Sequence, residues 1–264
     1  MQIKYINLES CPDKNSRMQE MLARHRLSNV SGRFPGIVST KPLNGMSLSE
    51  TGCLLAHHSL LMSLDSSEST LILEDDVSLC IDFGEKIKIL IGKLESSEVD
   101  IFLLGQTIPY QSISKHAKLL KLLSHYKETG SRSLLDANSF YSYGTFAYVV
   151  NRKSTQKIKE LFHRLDFSGS AKPIDELLSD WFQQGILKGR IIFPYLAGVE
   201  SDLESTMFDR SANHDHALHA GLVNLYLEGH TPNALNSWEK IISESPNLHA
   251  LEICKSIYLR LNRD

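Results

Sequence analysis

The alternation of apolar and polar positions predicts a strand over residues 2–8, then a helix that Pro12 opens and that runs to about Leu27. Proline suits a first helical turn, where its missing N–H would have no partner anyway. A short strand follows at 33–38. Ser47 caps a helix over 47–64, with Glu50 three residues on to complete a capping box. A strand at 69–74, a helix near 83–95 and a strand at 100–104 ending at Gly105 come next. Residues 106–143 are less periodic and rich in Ser, Lys and Tyr, and read as a long insertion with some helix. A strand at 145–150, helices at 152–164 and 174–184 and a strand near 190–193 complete the order. Strands alternating with helices predict an α/β fold: a Rossmann-type, mainly parallel sheet flanked by helices, with ligands at the carboxyl ends of its strands. Asn7, Glu74, Asp75, Asp76 and Gly105 fall at such ends.

After Met207 the pattern changes. Residues 208–264 hold no strand and read as three helices, 213–229, 231–245 and 247–261, with Gly229 as a C-cap and Pro246 as a break. The chain therefore divides into a domain over 1–207 and an all-helical extension over 208–264. Ala234, Leu235, Trp238, Ile241 and Ile242 form an apolar stripe that needs a cover, supplied by the domain over 1–207, by neighbouring helices or by a second subunit in a homodimer. His214, His216 and His219 look metal-like, but only His216 and His219 share a helical face, and two histidines are weak evidence for zinc.

Composition narrows the class. At 264 residues with 42% hydrophobic content the chain can bury a real core. The formal net charge of −3 gives no general drive toward nucleic acid or an anionic membrane. No apolar run approaches the roughly 20 residues that span a bilayer, and no signal peptide is visible, so the expected place is the cytoplasm, with at most peripheral contact at the inner face of the membrane. Cys11, Cys53, Cys80 and Cys254 make no paired or metal-ligand spacing; Cys53 reads as a packed apolar residue.

The chemistry concentrates in Leu71-Ile72-Leu73-Glu74-Asp75-Asp76-Val77, an apolar strand ending in three carboxylates. Three acids at one strand end repel unless a cation neutralises them. Strand alternation puts Glu74 and Asp76 on one side and Asp75 on the other, an arrangement suited to Mg²⁺ or Mn²⁺ bridging to phosphate.

Several segments, in order, resemble one family. They are Tyr5-Ile6-Asn7-Leu8 with Pro12-Asp13 and Arg17-Met18; Arg33-Phe34-Pro35; Gly52-Cys53-Leu54-Leu55-Ala56-His57; Ile72 to Val77; Gly144-Thr145 through Tyr148-Val149; and Pro173-Ile174-Asp175. Together they are similar to glycosyltransferase family 25, lipopolysaccharide-type enzymes related to collagen galactosyltransferases. The sequence departs from the family pattern at Ala56, Leu61, Ser10, Cys11, Lys14 and Val38-Ser39.

The resemblance implies a GT-A-like fold and an inverting, metal-dependent hexosyl transfer. The donor would be a UDP-sugar, of which UDP-galactose is the family precedent, and the acceptor a lipooligosaccharide or other glycan or glycolipid. It places Glu74 and Asp76 on Mn²⁺ or Mg²⁺, and Asn7, Arg17, Arg33, His57, Asp75 and Gly105 around the donor. Residues 106–143 fall on the acceptor side. An inverting transferase needs one carboxylate base for the attacking hydroxyl; Asp175 is the first candidate and Glu176 the alternative. His57 either lines the site or braces it. A phosphatase with an aspartyl nucleophile fits poorly because Glu74 occupies that position, and a glycoside hydrolase would need no acidic metal cluster. A catalytically degenerate binding or scaffolding module is the remaining alternative.

Overall fold

The computed structural model describes residues 1–168, 171–200 and 213–229, together with positions 252 and 256. Its strands are β1 (Gln2–Asn7), β2 (Ser31–Pro35), β3 (Thr70–Glu74), β4 (Val77–Leu79), β5 (Ile101–Leu103), β6 (Ser133–Asp136), β7 (Ala147–Val150), β8 (Gly189–Phe193) and β9 (Ala197–Val199). Its helices are α1 (Pro12–Arg24), α2 (Leu48–Ser63), α3 (Phe83–Glu95), α4 (Ile113–Thr129), α5 (Ala137–Phe140), α6 (Thr155–His163), α7 (Ile174–Gln183) and α8 (Asn213–Leu225).

Seven strands form one sheet in the order β2-β1-β3-β7-β5-β8-β6, and β4 pairs with β9 in a separate ribbon. Strands β1, β2, β3, β5 and β8 share one direction, while β7 and β6 oppose it. The sheet is thus mixed but mostly of one direction, with helices flanking it. The antiparallel β7 sits between β3 and β5, a pairing that periodicity cannot reveal because an apolar strand looks the same in either direction. β3 lies at the sheet's interior, and Leu71, Ile72 and Leu73 are all fully buried, which is why it has no polar break.

The local signals hold where they depend on neighbours in sequence. Ser47 caps α2, its hydroxyl accepting from the Glu50 N–H at 3.1 Å while Glu50 Oε2 accepts from the Ser47 N–H at 2.7 Å. Helix α1 stops at Arg24, short of the expected Leu27, because Arg26 turns to φ +58°. Residues 106–143 are not a free insertion. After α4, strand β6 joins the main sheet antiparallel to β8. This edge strand buries only Leu135 of its four residues, too little alternation to read. The three-residue β4 and β9 were likewise invisible.

Helix α8 belongs to the same core as the sheet: its Leu222, Val223 and Leu225 are buried in it, as is Tyr226 just after the helix. Asn224 clasps β9, donating to the Val199 carbonyl at 2.6 Å and accepting from the Val199 N–H at 3.2 Å. The chain then turns, and Gly229 takes φ +68°. His219 stacks on Tyr110. The expected helix at 231–245 with the Trp238 stripe, the expected helix at 247–261 apart from positions 252 and 256, which are helical, and the side chains of His214 and His216 lie outside the described residues. No helix among the described residues is long and apolar enough to cross a membrane.

Candidate active site

Strand β3 ends at Glu74, and Asp75 and Asp76 form the turn that leads into β4. Strand alternation therefore stops one residue before the aspartates, and each acid has surroundings of its own. The Glu74 carboxylate accepts from His57 Nε2 at 3.3 Å and from the Thr145 hydroxyl at 3.1 Å. Because a carboxylate only accepts, His57 carries its proton on Nε2, and Nδ1 accepts from the Tyr148 hydroxyl at 2.9 Å. Burial raises the Glu74 pKa, but the His57 and Thr145 bonds outweigh it and hold the carboxyl below its ordinary value.

Asp75 is neutralised in place. It accepts from Asn7 Nδ2 at 2.8 Å and pairs with Lys14 at 3.4 Å. Asp76 is not. Its Oδ1 is buried and has no partner among the described residues. Burial, then the neighbouring Glu74 charge, push its carboxyl up to about 7. A buried carboxylate oxygen with no donor, beside two other acids, fits a hard divalent cation: oxygen ligands are what Mg²⁺ and Mn²⁺ take, and the added charge would remove the penalty.

The arginines act as braces. Arg33 donates through Nε to Asn7 Oδ1 at 2.9 Å and through Nη2 to the Asn7 carbonyl at 3.2 Å, so its fork is engaged with the end of β1. Arg17 is ion-paired with Glu200 at the rim of a small hollow that also reaches Asp75. Gly105 does not line the cleft. A Cβ there would lie 2.3 Å from the Ala197 carbonyl oxygen, so this glycine allows β9 to approach the end of β5.

Asp175 opens α7, where the Glu176 N–H donates to it at 2.9 Å. Burial raises its pKa, opposed by backbone N–H bonds from Glu176 and Gly144, and the charge of Glu74 raises it further. Asp175 thus sits within electrostatic reach of the β3 acids. Glu176 is exposed. Gly144 takes φ +100°, and a Cβ there would lie 2.9 Å from the Phe146 ring.

A cleft of about 300 Å³ opens onto part of this group; Asp76, Arg17, Arg33 and Asp175 are not among the residues that line it. Asn7, Glu74 and Asp75 form one part of its lining, α2 contributes Cys53 and His57, and the segment 36–39 closes a side. Gly52 permits that closure: a Cβ would fall 2.3 Å from the Ile37 carbonyl oxygen. Cys53 packs against the core as expected of a small apolar residue, and, being only half-buried, it also lines the cleft wall. Burial, then Glu74, Asp175 and Asp76, hold its thiol well above the ordinary value. Sequence reasoning assigned no role to Thr145, Tyr148 or Lys14. The first two sit in a segment singled out by resemblance, but their contacts exist only because β7 pairs with β3.

The family model for glycosyltransferase family 25 (LPS biosynthesis protein) matches residues 28–178. This chain belongs to glycosyltransferase family 25. The matched span runs from β2 through the acid turn to the first turn of α7, and so includes the cleft wall on α2, Thr145 and Asp175. As a glycosyltransferase the protein takes a sugar donor and a glycan acceptor. No curated protein matches the chain significantly. Among solved structures, that of an active-site mutant of LgtC is similar over 94% of this chain and 97% of that one, at 8% identity and a TM-score of 0.35. That likeness is too low to carry an argument.

Proposed function

We propose that this member of the family transfers a hexose, galactose by family precedent, from a UDP-sugar to a surface-glycan acceptor such as lipooligosaccharide, with inversion and with Mn²⁺ or Mg²⁺. The observation that carries the reading is the unpartnered, buried Asp76 oxygen, next in sequence to Glu74 and Asp75, which line an open cleft. Asp76 and Glu74 would hold the cation, which when bound stabilises negative charge on the departing diphosphate. Asp75 is held by Asn7 and Lys14 and keeps the turn in place; Asn7 in turn is fixed by Arg33. His57 lines the cleft and braces Glu74 at once. Asp175 takes the proton of the attacking hydroxyl. Its raised pKa makes it a better base than an ordinary carboxylate, and the Gly144 and Glu176 N–H groups fix its orientation.

The test is a panel of nucleotide-sugars in thermal melts with and without Mn²⁺, followed by transfer assays on glycan acceptors. Ligand that binds the folded state raises the melting point by mass action. UDP-galactose should stabilise only with metal, and Asp76→Ala should abolish the effect. Metal-independent binding would overturn the assignment of the acids. Metal-dependent binding with no turnover on any acceptor would make this a binding module.

A further inference from the structure

Cys53 and His57 are one turn apart on α2, and the end of β3 brings Glu74 to the same point. The thiol sulfur, an imidazole nitrogen and a carboxylate oxygen of the three all lie within 4.8 Å of one another. Two of the three have a support behind them. The Tyr148 hydroxyl holds His57 Nδ1 at 2.9 Å, which aims Nε2 toward Glu74, and the Thr145 hydroxyl holds Glu74 at 3.1 Å. Ligand side chains in metal centres are oriented by such outer contacts. All three residues line the same open cleft, so a cation has a way in and would keep a coordination position facing solvent.

The donor set differs from that of the neighbouring acids. Asp76 offers oxygen alone and suits a hard cation, whereas sulfur with imidazole and one carboxylate selects a softer one. We propose that Cys53, His57 and Glu74 form a second binding site, for a thiophilic divalent cation of the Zn²⁺ class, and that its occupation blocks the transfer site because Glu74 is shared. The blocking half rests on the transferase reading above; the binding half does not.

The binding step balances without any redox partner. The Cys53 sulfur keeps the electron pair of its S–H bond and gives it to the cation, and the proton goes to solvent. His57 moves its one proton from Nε2 to Nδ1, where the Tyr148 oxygen accepts it, and Nε2 becomes a ligand. The two cations then compete for Glu74, so Mn²⁺ at high concentration should oppose Zn²⁺.

The probe is Cd²⁺ alone, titrated into the full chain without Mn²⁺ or donor and followed by the ultraviolet absorption of the cadmium–thiolate bond. One equivalent of absorption should develop with release of one proton per ion. It should vanish in Cys53→Ser and persist in Cys11→Ser and Cys254→Ser. Thr145→Val leaves the ligands in place but removes the support of Glu74, and should weaken Cd²⁺ binding roughly 10-fold. Absorption that survives in Cys53→Ser, or that Cys11→Ser removes, would overturn the site. So would undiminished Cd²⁺ affinity in a folded His57→Gln. In the transfer assay, Zn²⁺ should inhibit the wild type at least 10-fold more strongly than Cys53→Ser, each measured against its own uninhibited rate; equal inhibition overturns the blocking half. Absence of sugar transfer in the wild type would count against the transferase reading alone, since the cadmium signal needs no turnover.

Discussion

Asn7 donates its side-chain amide to the Asp75 carboxylate at 2.8 Å, across 68 positions of sequence. The oxygen of the same amide accepts from Arg33 at 2.9 Å. One neutral side chain therefore ties the ends of β1 and β2 to the acid turn after β3. With Lys14 on its other oxygen, Asp75 is fully engaged, while Asp76 is left with a buried oxygen that nothing among the described residues satisfies.

Asn7→Leu keeps the side chain's size but leaves Arg33 and Asp75 without their shared partner. The unpaired groups should cost roughly 1–3 kcal/mol of stability. Metal-dependent donor affinity should fall about 10-fold, because the turn that carries Asp76 loses its tie to β1. Calorimetric titration with UDP-galactose and Mn²⁺ checks this; unchanged affinity with a lowered melting point would reduce Asn7 to a structural tie.

Asp76 gives a stability profile of defined sign. Its folded pKa lies above the unfolded one, raised from 3.8 to about 7. The folded protein then binds more protons than the unfolded chain between those values, so the metal-free protein should lose stability as pH rises through that window. Asp76→Asn should flatten the slope and melt higher than wild type near pH 7 in the presence of a chelator. Mn²⁺ should reverse the order, because it needs the ionised carboxylate. Parallel wild-type and variant profiles under chelation would show that Asp76 is not strained.

Asp175→Asn separates binding from chemistry. Donor affinity should hold, since the substitution keeps the shape that Gly144 and Glu176 hold, while turnover falls about 10²- to 10⁴-fold. Exposed Glu176→Gln should stay near wild type. Steady-state kinetics on both variants decides: a dead Glu176→Gln beside an active Asp175→Asn would move the role by one residue.

Glu228 anchors the chain after α8. Its buried carboxylate accepts from Arg132 at 2.5 and 2.6 Å and pairs with Lys86 at 2.8 Å. Burial raises its pKa, but the Arg132 and Lys86 bonds outweigh that and hold it below the ordinary glutamate value. The carboxylate thus contributes stability above the unfolded pKa, and the contribution is lost as pH falls through the folded one. Glu228→Gln should cost roughly 1–3 kcal/mol at neutral pH. In denaturant unfolding, the gap to wild type should close in acid; a gap that persists at low pH would mean packing, not charge, carries the effect.

The sequence by itself determined what depends on neighbours along the chain. Periodicity placed α1, α2, α3, α6, α7 and α8 or their main parts but not α4 and α5, which lie in the weakly periodic stretch 106–143. The Ser47–Glu50 spacing specified a capping box, and an unbroken apolar run followed by three acids marked β3 and its mouth. The ordered motifs identified the family. Tertiary structure alone decided the rest. Pairing of β7 between β3 and β5 brings Thr145 and Tyr148 to Glu74 and His57, and packing of α2 turns Cys53 toward the cleft. It also decided that Arg33 braces Asn7, that Gly105 serves the approach of β9, and that Glu74 and the two aspartates have separate surroundings. The physical reason is range. Helix caps and strand faces are set within a few residues, whereas a hydrogen bond, a desolvated carboxylate or a close glycine contact belongs to groups far apart in sequence, and comes into being only when the sheet closes around them.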